Sequence, residues 1–298
     1  MLVIVGYMVV MLTVFGGFAL SGGSFAALFQ PLELLIIGGA AVGAFIVANN
    51  GKAIKATMKA FPHMMQGSHY TKALYMDLIA AMYLLLSKAR QTGMISLEND
   101  IEDPENSTIF SAYPRLMKDK VLLNFVLDYL RLMVSGSMNS FEMEALMDEE
   151  IETLEHEHDV PASALNGVGD GLPAFGIVAA VMGVVNALAA ADRPAAELGE
   201  LIAHAMVGTF LGILLAYGFV LPLASLLRQK SSEQIKMLQC IKVTLLSSLN
   251  GYAPQIAVEF GRKILFTTER PSFMELEEHV REVKSSSNSS ASSADNAS

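Results

Sequence analysis

The chain has 298 residues, 52% of them hydrophobic and only 17% charged, with a formal net charge of −10 at pH 7. A soluble domain carries about 25% charged residues, so this is a membrane protein, and an acidic surplus argues against nucleic acid as a partner. A single cysteine, Cys240, excludes an internal disulfide, and no Cys/His spacing resembles a zinc site.

Residues 2–21 are apolar, yet the first basic residue is Lys52 and no small-x-small cleavage site follows a short apolar core. The segment therefore reads as a retained transmembrane helix rather than a signal peptide. A second apolar run covers about 33–50. Each is long enough for a hydrocarbon core of about 30 Å, which needs roughly 20 helical residues. The joining loop "SGGSFAALFQPLE" has no Lys or Arg, whereas Lys52, Lys55 and Lys59 closely follow the second span.

Residues 51–168 read as an all-helical soluble region, since no strand pattern competes. "TKALYMDLIAAMYLLLSKARQTGMISLENDIEDPE" has helical apolar spacing and a polar stop at 102–105. "VLLNFVLDYLRLMVSGSMNSFEMEALMDEEIETLEHEHDVP" predicts one helix ending at Gly136 and a second with Ser140 as N-cap, because Glu142 and Glu144 enrich its first turns in acid. The acids from Glu142 to Asp159 form a solvated helix face or a partner-binding one. His156 and His158 point to different sides of such a helix, which argues against a shared metal ion. "NNGKAIK" lacks the glycine that a phosphate loop places five residues before Gly51, so no ATP-driven mechanism and no cofactor is expected.

Two further spans cover about 172–191 and 201–224; "DRPAAELGE" between them has one basic residue, and Arg228 and Lys230 follow the second. The positive-inside rule then puts both termini and the middle region in the cytoplasm, with two helical hairpins in the membrane. Ion-moving proteins usually keep a charged group at mid-bilayer, and these spans offer none. Asp170 and Asp192 flank the third, and His204 sits near the outer end of the fourth. A titrating carboxylate would have to come from another chain.

Small residues form two seams, Gly176, Ala180, Gly183 and Ala187 on the third span and Ala205, Gly208, Gly212 and Ala216 on the fourth. They serve either close helix packing or a narrow lumen for a partner helix. Thr209 either bonds back to its own helix or lends an oxygen to a passing ion. Pro173 and Pro222 both fall near the cytoplasmic membrane face, crowding the carbonyls of Gly169 and Gly218. A first-turn position would account for Pro173. Pro222 implies a static bend or a hinge if its helix continues through "LASLLRQKSSEQIKMLQ". Residues 225–284 begin helically, then meet Gly251, Pro254 and a second amphipathic stretch, and the serine-rich 285–298 are expected to be disordered.

"GGAAVGAFIVANNGKAIKATMKAFP", "SKARQTGMISLENDIEDP", "MDEEIETLEHE" and "LPAFGIVAAVMGVVNALAAADRPAAELGELIAHAMVGTFLGILLAYGFVLPLA" resemble the flagellar motor stator family, the MotA branch of the MotA/TolQ/ExbB proton channel superfamily, and its enterobacterial, proton-driven type above all. The resemblance implies an inner-membrane protein that is not an enzyme. It implies a pentameric ring of this chain around a dimer of MotB, whose helix carries the proton-accepting aspartate and whose outer domain grips peptidoglycan. Residues 1–50 would be the first two transmembrane helices with a short periplasmic loop, 51–168 a helical cytoplasmic domain facing the rotor protein FliG, and 169–224 the third and fourth transmembrane helices, lining the pore. Arg90 and Glu98, with Glu150 as a lesser candidate, match rotor contacts. Pro173 and Pro222 match the family's functional prolines, and Thr209 its pore-lining threonine. Ala180 stands where sodium-driven relatives tend to carry a hydroxyl, which implies protons as the driving ion. The rivals are an energy-transducer subunit resembling ExbB or TolQ, disfavoured by four spans and a cytoplasmic start, a solute transporter, which needs polar intramembrane groups, and a helical scaffold without transport.

Overall fold

The computed structural model describes residues 2–65 and 67–282, and every regular element among them is a helix. The serine-rich tail at 285–298 lies outside the described residues. Four helices are long and apolar enough to cross a membrane, within Leu2–Leu20, Phe25–Ala48, Ser140–Ala189 and Ala195–Leu249. The chain divides into two compact units, and the helices Ser140–Ala189 and Leu221–Leu249 contribute residues to both.

One unit comprises residues 1–67 and 156–231. Its first span, Leu2–Leu20, buries no residue, and Leu2, Leu12 and Leu20 are 87, 72 and 92% exposed. A helix apolar on all sides and this bare is at home in lipid or against other chains, not in water. The buried positions lie where spans meet: Ile37 and Ala41 of Pro31–Ala48, Leu172 and Ala179 of Ser140–Ala189, and Ala216. A second small cluster joins Met64, Leu165 and Ala224. Asp159 anchors this end by accepting from Arg228 Nε at 2.9 Å and from Ser163 Oγ at 2.7 Å.

The other unit, residues 68–155 and the chain from 232 on, has an ordinary protein core. In helix Lys72–Thr92, Leu74, Leu78, Met82, Leu85 and Ala89 recur every three or four positions, and the whole run from Leu78 to Tyr83 is buried, so the middle of the helix lies inside the core on all sides. They join a core with Phe110, Phe125, Tyr129, Met143, Met147 and Ile241, where full burial of a large apolar side chain contributes about 1.5–3 kcal/mol. Helix Lys120–Ser135 starts with the Asp119 carboxylate accepting from the Leu122 N–H at 3.1 Å, and ends at Gly136, whose φ of +63° suits glycine. That end is the expected one. The next N-cap is displaced by one residue. Asn139 Oδ1 accepts from the N–H groups of Phe141 and Glu142 at 3.0 Å, while Glu142 Oε2 accepts from the Asn139 N–H at 3.0 Å. This reciprocal box needs its acid three residues after the cap, which Asn139 has and Ser140 lacks, so the Ser140 expectation fails.

The largest departure concerns helix breaks. The third span does not begin a new helix near residue 172; it is the end of a single 50-residue helix, Ser140–Ala189, that runs through Pro161 and Pro173. An apolar run marks what sits in lipid, while helix continuity depends on backbone hydrogen bonds that proline weakens locally without ending the helix.

Candidate functional site

Pro173 lies deep inside its helix, so the first-turn account of it is wrong: an interior hydrogen bond is missing and the ring crowds the Gly169 carbonyl. Gly169 also leaves room for a neighbour, since a Cβ there would stand 2.5 Å from Leu221 Cδ2. Leu221 immediately precedes Pro222. The neighbourhoods of the two prolines therefore meet through one leucine seated in a glycine notch.

A wide turn precedes Pro222. Ala216–Val220 is π-helical, with the Leu221 N–H donating to the Ala216 carbonyl five residues back. Such a turn re-routes hydrogen bonds around the missing proline N–H, and the helix goes on to Leu249. The first span ties into it: Tyr7 Oη donates to the Phe219 carbonyl at 3.0 Å, with the two ring centroids 4.8 Å apart.

The small-residue seams close on each other within one chain. A Cβ at Gly176 would lie 2.7 Å from the Gly208 carbonyl oxygen, one at Gly212 2.7 Å from the Leu172 carbonyl oxygen, and one at Gly183 2.6 Å from Ala205 Cβ. The third and fourth spans thus touch backbone to backbone, the approach that small residues permit in a membrane. Of the two readings open in the sequence, close helix packing is what these glycines show within one chain. Ala180 is half-buried at the same crossing, its amide nitrogen 3.2 Å from where a Gly208 Cβ would stand.

Thr209 follows Gly208 and is half-buried. Thr13, Thr57 and Thr244 each donate to the carbonyl four residues back, at 2.7, 2.8 and 2.8 Å. Among the described residues the Thr209 hydroxyl makes no such bond, which leaves its proton as well as its oxygen available to another group.

Sequence reasoning missed Glu33. Helix Pro31–Ala48 starts two residues before it, inside an apolar stretch that reaches back to Phe25. The spans are therefore not free of charge. Glu33 Oε2 is buried without a hydrogen-bond partner among the described residues, and it lies 3.2 Å from the position of a Gly208 Cβ. In "QPLELLII" an acid two residues after proline looks like an ordinary helix start, which hides it; the signal was an acid bordering an apolar run.

The charged candidates belong to the other unit. Arg90 occupies the last turn of Lys72–Thr92 and Glu98 the first position of Glu98–Glu102; both are exposed, and neither makes an ion pair among the described residues. The turn between them is firmly built. Gly93 takes φ +90°, Leu97 is fully buried, and Thr92 Oγ1 donates to Ser96 Oγ at 2.7 Å. Behind it the buried Asp100 accepts from Lys88 Nζ at 2.7 Å and from Ser107 Oγ at 2.6 Å. Glu150 is engaged differently: its carboxylate accepts from Tyr129 Oη at 2.7 Å. Burial and that carboxylate together push the Tyr129 phenol well above its ordinary range. Glu150 thus has a partner inside its own unit.

Residues 4–93 match the family model for the motility protein A N-terminal region, and 117–240 that of the MotA/TolQ/ExbB proton channel family. The chain is 69% identical to motility protein A of Salmonella typhimurium, over 95% of this chain and 96% of that one. Among solved structures it resembles the flagellar MotAB stator complex from Bacillus subtilis, at 26% identity and a TM-score of 0.71, covering 91% of this chain and 98% of that one. MotAB of C. jejuni shares the fold, with 22% identity and a TM-score of 0.75 over 91% and 98% of the two chains.

Proposed function

The chain belongs to the motility protein A family, and from that premise we propose how it works as a stator subunit that couples proton flow to flagellar rotation. The carrying observation is a match running nearly end to end, at 69% identity over 95% of the chain. The energy-transducer alternative is disfavoured by the motility-specific match over residues 4–93, which contain two of the four candidate spans.

In this reading the four spans form two hairpins in the inner membrane with both termini inside, and five copies ring a MotB dimer that contacts the Thr209 region. The partner's aspartate alternates between charged and neutral as protons pass. Because the third and fourth spans are fused along their glycines, they move as one pair, pivoting where Leu221 links the two prolines. The π-turn at 216–220 supplies the compliance, since its hydrogen bonds are already re-routed. Each proton falling through about 100 mV supplies roughly 2.3 kcal/mol, enough to bias a pivot but not to break a core. Arg90 and Glu98 then meet FliG through exposed charge contacts worth about 0–1 kcal/mol each, weak enough to be made and released at every step.

Swarming of a strain lacking its own stator chain tests the reading: this chain expressed with its partner should restore spreading in soft agar, and omission of the partner should abolish it. Pro173→Ala should assemble normally yet rotate slowly, because alanine restores the interior hydrogen bond and stiffens the pivot. Bead-assay speed at constant complex level checks this; failure of the ring to form would make Pro173 an assembly residue.

A further inference from the structure

Along the helix Ala195–Leu215, Glu200, His204 and Gly208 recur at intervals of four and so share one face. Solvent access falls along that face: the Glu200 side chain is 71% exposed, that of His204 32%, and the Glu33 oxygen seated against Gly208 is buried. His204 Nε2 lies 3.8 Å from Glu200 Oε1, an ion-pair rather than a hydrogen-bond distance, and His204 stands one turn before Gly208, against which the Glu33 oxygen is seated. Beyond Gly208 comes Thr209, whose hydroxyl has no partner among the described residues, and the Ala180 backbone.

We propose that Glu33 is a proton-relay carboxylate on the outer side of the path, loaded through Glu200 and His204. This rests on the reading of the chain as a proton-conducting stator subunit. A buried carboxylate oxygen without a hydrogen-bond donor is costly while charged, and ionisable groups at membrane depth mark ion and proton pathways. Imidazole is a proton shuttle in the physiological range. The balance is simple. A hydronium at the outer surface gives its proton to Glu200 or directly to His204. The imidazolium passes one N–H proton by way of an intervening water to the Glu33 carboxylate and returns to neutral. The Glu33 acid then releases the proton inward toward the Thr209 region and is a carboxylate again, with no change in oxidation state. The alternative is a purely architectural acid that complements the helix start at Pro31. Glutamine separates the two, since it keeps shape and polarity but cannot carry a proton.

The test is proton flux into vesicles containing the intact complex of this chain with a plug-deleted MotB-type partner, measured at outer pH values from 5 to 8. Glu33→Gln should lower flux about tenfold, well below the full effect of a positioned proton-transfer group because water offers a bypass. Glu33→Asp should retain more flux than the glutamine variant, and His204→Gln should flatten the dependence on outer pH. Co-purification with the partner fixes the amount of complex in each case. Glutamine at position 33 with wild-type flux and pH profile would overturn the relay while leaving the channel intact. A wild-type complex that passes no protons would overturn the functional reading itself. Should Glu33→Gln fail to assemble, His204→Gln carries the test, and an unchanged flux and pH profile there would overturn the relay.

Discussion

Reversing both charges on the turn proposed above to meet the rotor, Arg90→Glu together with Glu98→Arg, is expected to abolish torque while leaving the complex assembled and its proton leak unchanged. Both side chains are exposed and unpaired among the described residues, so their exchange removes no internal contact and shifts stability by no more than about 0.5 kcal/mol. The scaffold beneath them is independent of their charge. It is fixed by Leu97 in the core, by the Gly93 turn and by the buried Lys88–Asp100–Ser107 network. On the proposed rotor contact the surface would then present the wrong sign at both points, with like charges opposed at each encounter. Torque is read from the speed of tethered cells, and leak from proton flux with the plug-deleted partner. Loss of leak along with torque would assign these residues to assembly. A charge-reversed rotor that restores rotation would identify the matching surface.

Gly212→Ala should disable the stator by a different route, through the membrane pair itself. Its new methyl would stand 2.7 Å from the Leu172 carbonyl oxygen and 2.9 Å from Gly176 Cα, both backbone atoms of the third span. No side chain can rotate away to make room, so the spans must separate. Overpacking of this kind costs about 1–3 kcal/mol. In a membrane the loss bears directly on association, because close van der Waals contact rather than water exclusion holds helices together. Complex recovered from membranes should fall by roughly tenfold, the equivalent of about 1.4 kcal/mol, and motility with it. Gly51→Ala is the control: it begins helix Gly51–Met65, and a Cβ there meets nothing within 4 Å. Wild-type motility in Gly212→Ala would show that the two spans are not fused as described.

Much of this architecture is legible in the sequence because lipid imposes a simple rule. A run of apolar residues long enough to span picks out the four candidate membrane helices. Helical spacing and the glycine at 136 identified the soluble helices. What the sequence did not disclose depends on hydrogen bonds and on distant partners. Pro173 reads as the first turn of a new helix, yet neighbouring backbone bonds carry one helix through it and through Pro161. The π-turn before Pro222 leaves no compositional trace, since it re-pairs carbonyls without needing a particular residue. The seams were visible, but only the glycine-to-backbone distances decide that they face each other. Glu33 escaped notice because a helix-start acid and a buried membrane acid read alike until the fourth span is packed against it.

The central claim is that proton flow through this chain and its partner drives rotation. It is tested most directly by the rotation speed of tethered cells that lack their own stators and express both chains. Speed should follow the proton-motive force, falling to zero when a protonophore is added and recovering on washout, and should be unaffected when sodium is replaced by potassium. Rotation that persists with the proton gradient collapsed, or that stops on removal of sodium, would contradict the account.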